Sequence, residues 1–318
     1  LALGFLFFLL LSFAYAFAFT YAYTLDFFRG AGFPILSIAT VVAMLPAVWR
    51  GLQPPQPFLV QSRRWVVAAA IVLLVALSAV FAFPPSPKIK EAGPTIRVGT
   101  YNIHYGYNTT WKFSLEGMAK TIEESGADVV ALQEVDAGRI TSYSVDDALW
   151  LSRRLRMGVF YQPTIEYLTG IAVLYRIPVE KAEGQLLTSR LEQTAIIHTR
   201  LNVGGKALDA YGTWFGLEPE ERAVQLDEAL AFMGGGITVF GGDLNSTPDS
   251  PIYQRLKDAG FLDPFIVGGF EPLPTSPSEQ PEERIDYVWV RGLQPVDAQV
   301  LDSTASDHRM VVVEVQLQ

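Results

Sequence analysis

The chain has no cysteine and only three histidines among its 318 residues. The first absence excludes disulfides and thiolate metal sites and leaves the compartment open. Charge is missing from three long runs: residues 1–24, 31–49 and 65–83 contain no Asp, Glu, Lys or Arg. Apolar residues make up 50% of the chain, and the excess sits in those runs. The first and third are each long enough to cross a hydrocarbon core of about 30 Å as a helix of about 20 residues. The middle run is broken by Pro34 and Pro46, and a re-entrant segment is its alternative reading. A signal peptide does not account for the first run, which lacks a basic start and is followed by two more.

A basic excess is also absent beyond the N-terminal part. The first 64 residues hold four Arg and one Asp, a net of +3, so the remainder carries −12 to reach −9 for the chain. An acidic body repels phosphate backbones, which disfavours nucleic acid as a partner. Arg50, Arg63 and Arg64 place the 50–64 loop on the cytoplasmic side, and the third span then delivers everything after residue 84 outside or into a lumen. The expected organisation is a membrane region over 1–83 with three transmembrane helices, a linker over 84–94 that opens on Pro84-Pro85-Ser86-Pro87, and a folded domain over 95–318. The sequence opens on Leu1, not Met, and further membrane segments are expected upstream.

In the folded domain, apolar periodicity predicts strands at 96–101, 128–132, 171–175, 193–201, 207–213, 237–243, 285–290 and 310–315. Helical spacing covers 114–125, 146–157, 218–232 and 251–258, and Val203-Gly204-Gly205-Lys206 reads as a hairpin turn. Residues 268–283, rich in Pro, Ser and Glu, read as a long loop. Helices alternate with strands early and strand pairs cluster later, which argues a layered α/β domain with much antiparallel pairing.

Polar residues cluster where the predicted strands run out: Asn102, Glu134, Asp243 with Asn245, and Asp307 with His308. Asp243 and Asn245 are two apart at the end of a strand, so alternation predicts that they point the same way. Glu134 is a suitable hard oxygen ligand for Mg²⁺, with Mn²⁺ or another divalent cation as alternatives. Asp307 offers a second carboxylate, and Asn102 a contact to the metal shell or to a phosphate oxygen. Asp286, on a strand 22 residues before His308, is placed to orient that imidazole. Such a set suits attack by water on a phosphoric ester.

Tyr101-Asn102-Ile103, Gln133-Glu134-Val135, Gly242-Asp243-Leu244-Asn245, Arg284-Ile285-Asp286-Tyr287 and Ser306-Asp307-His308 occur in an order that resembles the endonuclease/exonuclease/phosphatase superfamily. Its members include deoxyribonuclease-type nucleases, abasic-site endonucleases, neutral sphingomyelinases and inositol-polyphosphate 5-phosphatases. The resemblance covers about 95–318. It implies a four-layer sandwich with two central mixed, largely antiparallel sheets. It also implies that Glu134, with Asp307 and Asn102, binds the metal, that Asp243 and Asn245 place the water, and that His308, paired with Asp286, contacts the phosphate. Gln133-Glu134-Val135-Asp136, Arg139 and the 147–157 segment further resemble the luminal C-terminal domain of GPI-anchor lipid-remodelling membrane proteins. Asn102, Arg139 and Trp214 are the expected substrate contacts.

One position departs from the pattern. Many phosphodiesterases of that superfamily carry Thr-His before a helix with a Glu-Arg…Gln signature, whereas this chain has Thr213-Trp214, then Glu221-Arg222 and Gln225. An indole does not transfer protons near neutral pH. Another group then supplies the acid, with Tyr143, Tyr167 and His104 as candidates, or the leaving group needs none, or the domain does not cleave. Trp214 itself is open to stacking on a substrate ring, contact with lipid, or packing at the rim. The expected function is a membrane-anchored, metal-dependent phosphodiesterase or phosphatase acting on a lipid or glycolipid headgroup. The alternatives are a non-catalytic, membrane-tethered lipid-binding domain of the same fold and an extracellular nuclease.

Overall fold

Strand residues alternate between two apolar faces, and that alternation builds the molecule. In residues 171–174, Ile171 and Val173 enter one buried cluster while Ala172 and Leu174 enter another. In the same way Val288 and Val290 face one core, and Tyr287 and Trp289 face a different one. Strands apolar on both faces must be covered on both, so they sit in the middle of a sandwich. The computed structural model describes residues 2–18, 31–51, 66–74, 77 and 86–317.

Among the described residues, eleven strands form two sheets: β1 (Thr95–Asn102), β2 (Val129–Asp136), β3 (Gly158–Pro163), β4 (Thr169–Tyr175), β5 (Val179–Leu186), β6 (Ala195–Val203), β7 (Lys206–Trp214), β8 (Thr238–Asp243), β9 (Asp286–Arg291), β10 (Gln294–Val300) and β11 (Val311–Gln316). One sheet runs β10-β11-β1-β2-β4-β3 and the other β5-β6-β7-β8-β9. One core cluster draws residues from both sheets and fills the space between them. Outside the first sheet lie α3 (Leu115–Ser125) and α4 (Asp147–Leu155), whose Met118, Ile122 and Leu151 share a second cluster with Leu132 and Leu174. Outside the other lie α5 (Pro219–Phe232) and α6 (Pro251–Asp258), packed through Leu226, Ala229, Ile252 and Leu256. The order helix, sheet, sheet, helix is an α/β four-layer sandwich with two mixed sheets. Gly212 lets the sheets approach, because a Cβ there would lie 2.9 Å from that of Ala131.

Three strands, β3, β5 and β10, are not among those that apolar periodicity predicts. All three are sheet edges. Each is partly or fully exposed along most of its length, so none shows the buried apolar run that marks a central strand. The strand predicted at 128–132 continues to Asp136 through a shift of register between Leu132 and Val135.

Each sheet contains one parallel pair, β1–β2 and β7–β8, and the other pairings are antiparallel. A parallel pair needs a crossover, here through α3 and α5, and it sets two strand C-termini side by side. The C-terminal ends of β1, β2, β7 and β8 carry Asn102, Glu134, Trp214 and Asp243. The antiparallel partners β9 and β11 start from the same rim, with Asp286 opposite Asp243 and His308 three residues before Val311.

At the N-terminus, α1 (Ala2–Ala18) and α2 (Gly32–Gly51) pack on each other, and residues 66–74 are helical. The rest of the 1–24 and 65–83 runs lies outside the described residues. Among the described residues, no helix is long and apolar enough to cross a membrane.

Candidate active site

Asn102 ties the two sheets together at the rim. Its side-chain Nδ2 donates to Glu134 Oε1 at 2.9 Å and to Asp243 Oδ2 at 3.0 Å, and its Oδ1 accepts the His104 backbone N–H at 2.9 Å. The residue is buried, and its backbone carbonyl accepts the Ser306 hydroxyl at 2.8 Å. Asn102 therefore acts as a strut between carboxylates, with both amide hydrogens spent on them.

Glu134 reaches this position because β2 bulges there. Its φ is +52°, a left-handed conformation that L residues seldom adopt. A bulge re-aims a side chain out of the regular alternation. Burial and the neighbouring charge of Asp307 hold the Glu134 carboxyl well above the usual carboxylate range.

Asp243 Oδ1 accepts the Asn245 backbone N–H at 3.0 Å. The strand ends at Asp243, so alternation does not set the direction of Asn245. That residue has φ +47°, and its side-chain amide donates to the Phe215 carbonyl at 2.8 Å. Asn245 thus holds the β7–α5 loop against the end of β8. Burial, and then the charge of Asp286, push the Asp243 carboxyl up to about 7.

His308 Nδ1 lies 2.8 Å from Asp286 Oδ2, and both residues are buried. This is the pairing expected from the sequence. Burial pulls the imidazole pKa down, but the charges of Asp286, Asp243 and Asp307 outweigh it and raise the group well above its ordinary value. The pairing occupies Nδ1 and leaves Nε2 as the ring nitrogen for a substrate. Asp286 Oδ1 has no hydrogen-bond partner among the described residues.

Asp243, Asp286 and His308 each offer a ligand atom within 4.8 Å of the others, a set able to hold a metal. The sequence reading assigns the metal instead to Glu134, Asp307 and Asn102. Donor chemistry favours the two carboxylates of that set for a hard cation, since Mg²⁺ takes one or two carboxylates and keeps several waters. The charge of Asp307 raises the cost of ionising Glu134, and a divalent cation between them would relieve it. The residues present fit such a cation. Asp307 is otherwise held by the Ser306 hydroxyl at 3.2 Å, with His104 Nδ1 at 3.7 Å from its other oxygen.

The structure places two expected substrate contacts elsewhere. Arg139 is buried, 3.5 Å from Asp136 Oδ1 and 3.3 Å from Thr169 Oγ1, and braces the loop after β2. Trp214 is only 4% exposed and belongs to the core between the sheets, so neither a substrate ring nor lipid can stack on it. Packing is its role. The Glu-Arg…Gln signature secures the same neighbourhood: Gln225 Oε1 accepts the Gly216 N–H at 2.8 Å, and Glu221 Oε1 accepts the Arg190 N–H at 2.8 Å. Of the acid candidates, Tyr143 and Tyr167 are 71% and 81% exposed and stand outside the buried cluster, and His104 lies beside Asp307. His198 is distant from this chemistry, paired with Glu183 and Asp209 and stacked on Tyr211.

Sequence reasoning missed Glu192. It sits three residues before β6, where its charge acts on Glu134, and burial pushes its carboxyl up to about 7 against the opposing pull of Arg139. The one signal in the sequence is an acid just before an apolar strand, which is too common to single out.

The endonuclease/exonuclease/phosphatase family model matches residues 99–308. The chain belongs to this family. Among solved structures, it resembles an endonuclease/exonuclease/phosphatase from Beutenbergia cavernae at 21% identity, covering 71% of this chain and 72% of that one, with a TM-score of 0.57. The human Nocturnin catalytic domain with bound sulfate matches at 19% identity over 74% of this chain and 100% of that chain, with a TM-score of 0.58. A mannosyl-6-phosphatase from Bacteroides thetaiotaomicron matches at 15% over 69% and 99%, with a TM-score of 0.55. At these identities the likeness establishes the fold. Enzymes of this family are phosphoric ester hydrolases and generally need a divalent metal, which agrees with the acidic cluster at the rim.

Proposed function

We propose that this chain is a membrane-anchored, divalent-metal-dependent phosphodiesterase or phosphatase that acts on a lipid or glycolipid headgroup at an extracytoplasmic surface. The observation that carries the hydrolytic part is the His308–Asp286 pair, set beside Asp243, which Asn102 joins to Glu134. Two proteins similar in fold, a mannosyl-6-phosphatase and the Nocturnin catalytic domain with its bound sulfate, support a phosphoryl-type ligand. The membrane part rests on the charge-free runs 1–24, 31–49 and 65–83, and the outward orientation on Arg50, Arg63 and Arg64. Tethering beside a bilayer raises the effective concentration of a lipid substrate.

Attack by water forms an oxygen–phosphorus bond and breaks the bond from phosphorus to the leaving oxygen. Asp243 takes the proton of the water; a carboxyl poised near 7 is well matched to that task. The charged imidazole of His308 donates from Nε2 to a phosphoryl oxygen, and Asp286 keeps it charged and oriented. A divalent cation held by Glu134 and Asp307 supplies charge neutralisation at the phosphoryl oxygens when bound. No leaving-group acid stands at Trp214, so the substrate is one whose leaving oxygen needs none, or one protonated by another group.

The test is hydrolysis by the full chain in bilayers, with and without Mg²⁺, of an activated aryl phosphodiester beside natural phospholipids. Metal-dependent cleavage of the aryl ester that vanishes in His308→Ala supports the hydrolytic centre. Binding of Mg²⁺ without cleavage of either substrate favours a non-catalytic lipid-binding domain, a reading that Trp214 motivates.

A further inference from the structure

An aromatic ridge runs from the edge of the candidate active site to the N-terminal apolar helices. It begins at His104, whose Nδ1 is 3.7 Å from Asp307 and whose ring centroid is 4.8 Å from that of Trp111. Trp111 is 68% exposed. It stands on a tight turn in which Asn108 Oδ1 accepts the N–H groups of Thr110 and Lys112 at 3.1 and 2.9 Å. The Trp111 ring packs against Tyr107 at 5.9 Å, Tyr107 against Phe113 at 5.5 Å, and Phe113 against the exposed Tyr143 at 5.3 Å. The Tyr107 hydroxyl also donates to the Thr141 carbonyl, which locks this turn to the one that displays Ile140 and Tyr143.

The ridge then continues. Backbone bonds from Ala137 to Leu168 and from Gly138 to Val145 join the Tyr143 turn to the loop that displays Tyr167. That loop meets the N-terminal helices: Ile165 and Leu168 pack with Ile35 of α2 and with Leu11 and Ala14 of α1. Helix α1 also touches the Ile140–Ser142 turn. The exposed rings are therefore continuous with the two apolar helices.

We propose that this ridge docks in the interfacial layer of a lipid bilayer and sets the mouth of the site at headgroup level. The proposal rests on the membrane reading above and goes further by naming the surface. Trp and Tyr are the side chains that favour this layer, because each combines an apolar body with a polar edge. Charge does not drive the contact. The chain beyond residue 64 carries −12, which repels anionic lipid, so the ridge docks by apolar partition and needs only zwitterionic headgroups.

The experiment uses the full chain reconstituted in phosphatidylcholine vesicles, some of them made with lipid brominated near the glycerol end of its acyl chains. Flotation reports whether the chain associates with the bilayer at all. The fluorescence difference between the wild type and Trp111→Phe isolates Trp111 from the other five tryptophans. Expected is a floating protein whose Trp111 component loses most of its emission in brominated vesicles, unchanged by added salt. A floating protein whose Trp111 emission is not quenched overturns the docking, leaves the membrane reading intact and assigns the ridge to a protein partner. A protein that does not float overturns both.

Discussion

At the scale of single residues, the site is a set of carboxyls and one imidazole whose charges are mutually adjusted. His308→Ala is expected to lower kcat by roughly 10²–10⁴-fold, and Glu134→Gln to do so with a weaker response to Mg²⁺, both measured on an activated aryl ester. Asp286→Asn has a more specific signature. Burial works against the charged imidazole, and Asp286 is the first of the carboxylates that overcome it. Removing that charge lowers the His308 pKa, so the alkaline limb of the pH–rate profile moves to lower pH. An unmoved limb would mean that His308 is not the group that titrates there. Trp214→Ala should cost about 3–5 kcal/mol in urea denaturation, because the ring fills the core between the sheets. A cost near zero would argue that the indole serves the site. Single residues were legible in the sequence where their chemistry stands at a strand end, as for Glu134, Asp243, Asp286 and His308. Their contacts were not. Asn102 and Asp243 are 141 positions apart, and nothing local in either segment specifies that one amide holds both carboxylates.

At the scale of elements, strands buried along their length read clearly, β9 at a sheet edge included, and the exposed edge strands β3, β5 and β10 did not. A central strand is buried on both sides and writes itself as an apolar run, whereas β3, β5 and β10 each meet solvent. The bulge in β2 is likewise silent in sequence, since Glu134 has none of the small or turn-forming character that flags a positive φ. Helix α5 shows how an element supports a site that it does not enter. Its Gln225 accepts the Gly216 N–H and donates to the Thr188 carbonyl and the Ser189 hydroxyl, so one side chain links the loop after β7 to the segment before β6. Gln225→Ala leaves the buried Gly216 N–H unpaired, at an expected cost of about 1–3 kcal/mol in denaturant titration. A smaller loss of kcat should accompany it, through looser seating of Asn245 against Phe215.

At the scale of the whole molecule, the acidic rim couples stability to pH, and a bound divalent cation is expected to change that coupling. The Asp243 and Glu134 carboxyls bind protons more tightly in the folded protein than in the unfolded chain. Between the ordinary carboxylate pKa of about 4 and the folded value of Asp243 of about 7, the native state thus holds the extra protons, and stability falls as pH rises. The raised His308 acts with the same sign at higher pH. Its pairing with Asp286 contributes fully below about pH 6.5 and is lost only as pH climbs through the higher folded value. A divalent cation that neutralises the carboxylates should accordingly raise Tm more at about pH 8 than at about pH 5, measured without any substrate. Equal shifts at both pH values would count against a carboxylate-bound metal.

The sequence by itself determined the layered α/β class, the central strands, the chemistry at their ends and the family those motifs resemble, because apolar periodicity and residue type are local properties. Only the tertiary structure decided that Trp214 packs in the core, that Arg139 braces a loop, that Asn102 bridges the sheets and that exposed rings line up beside the apolar helices. Each of these depends on which faces meet across segments far apart in the chain, and packing settles that only when the whole sandwich closes.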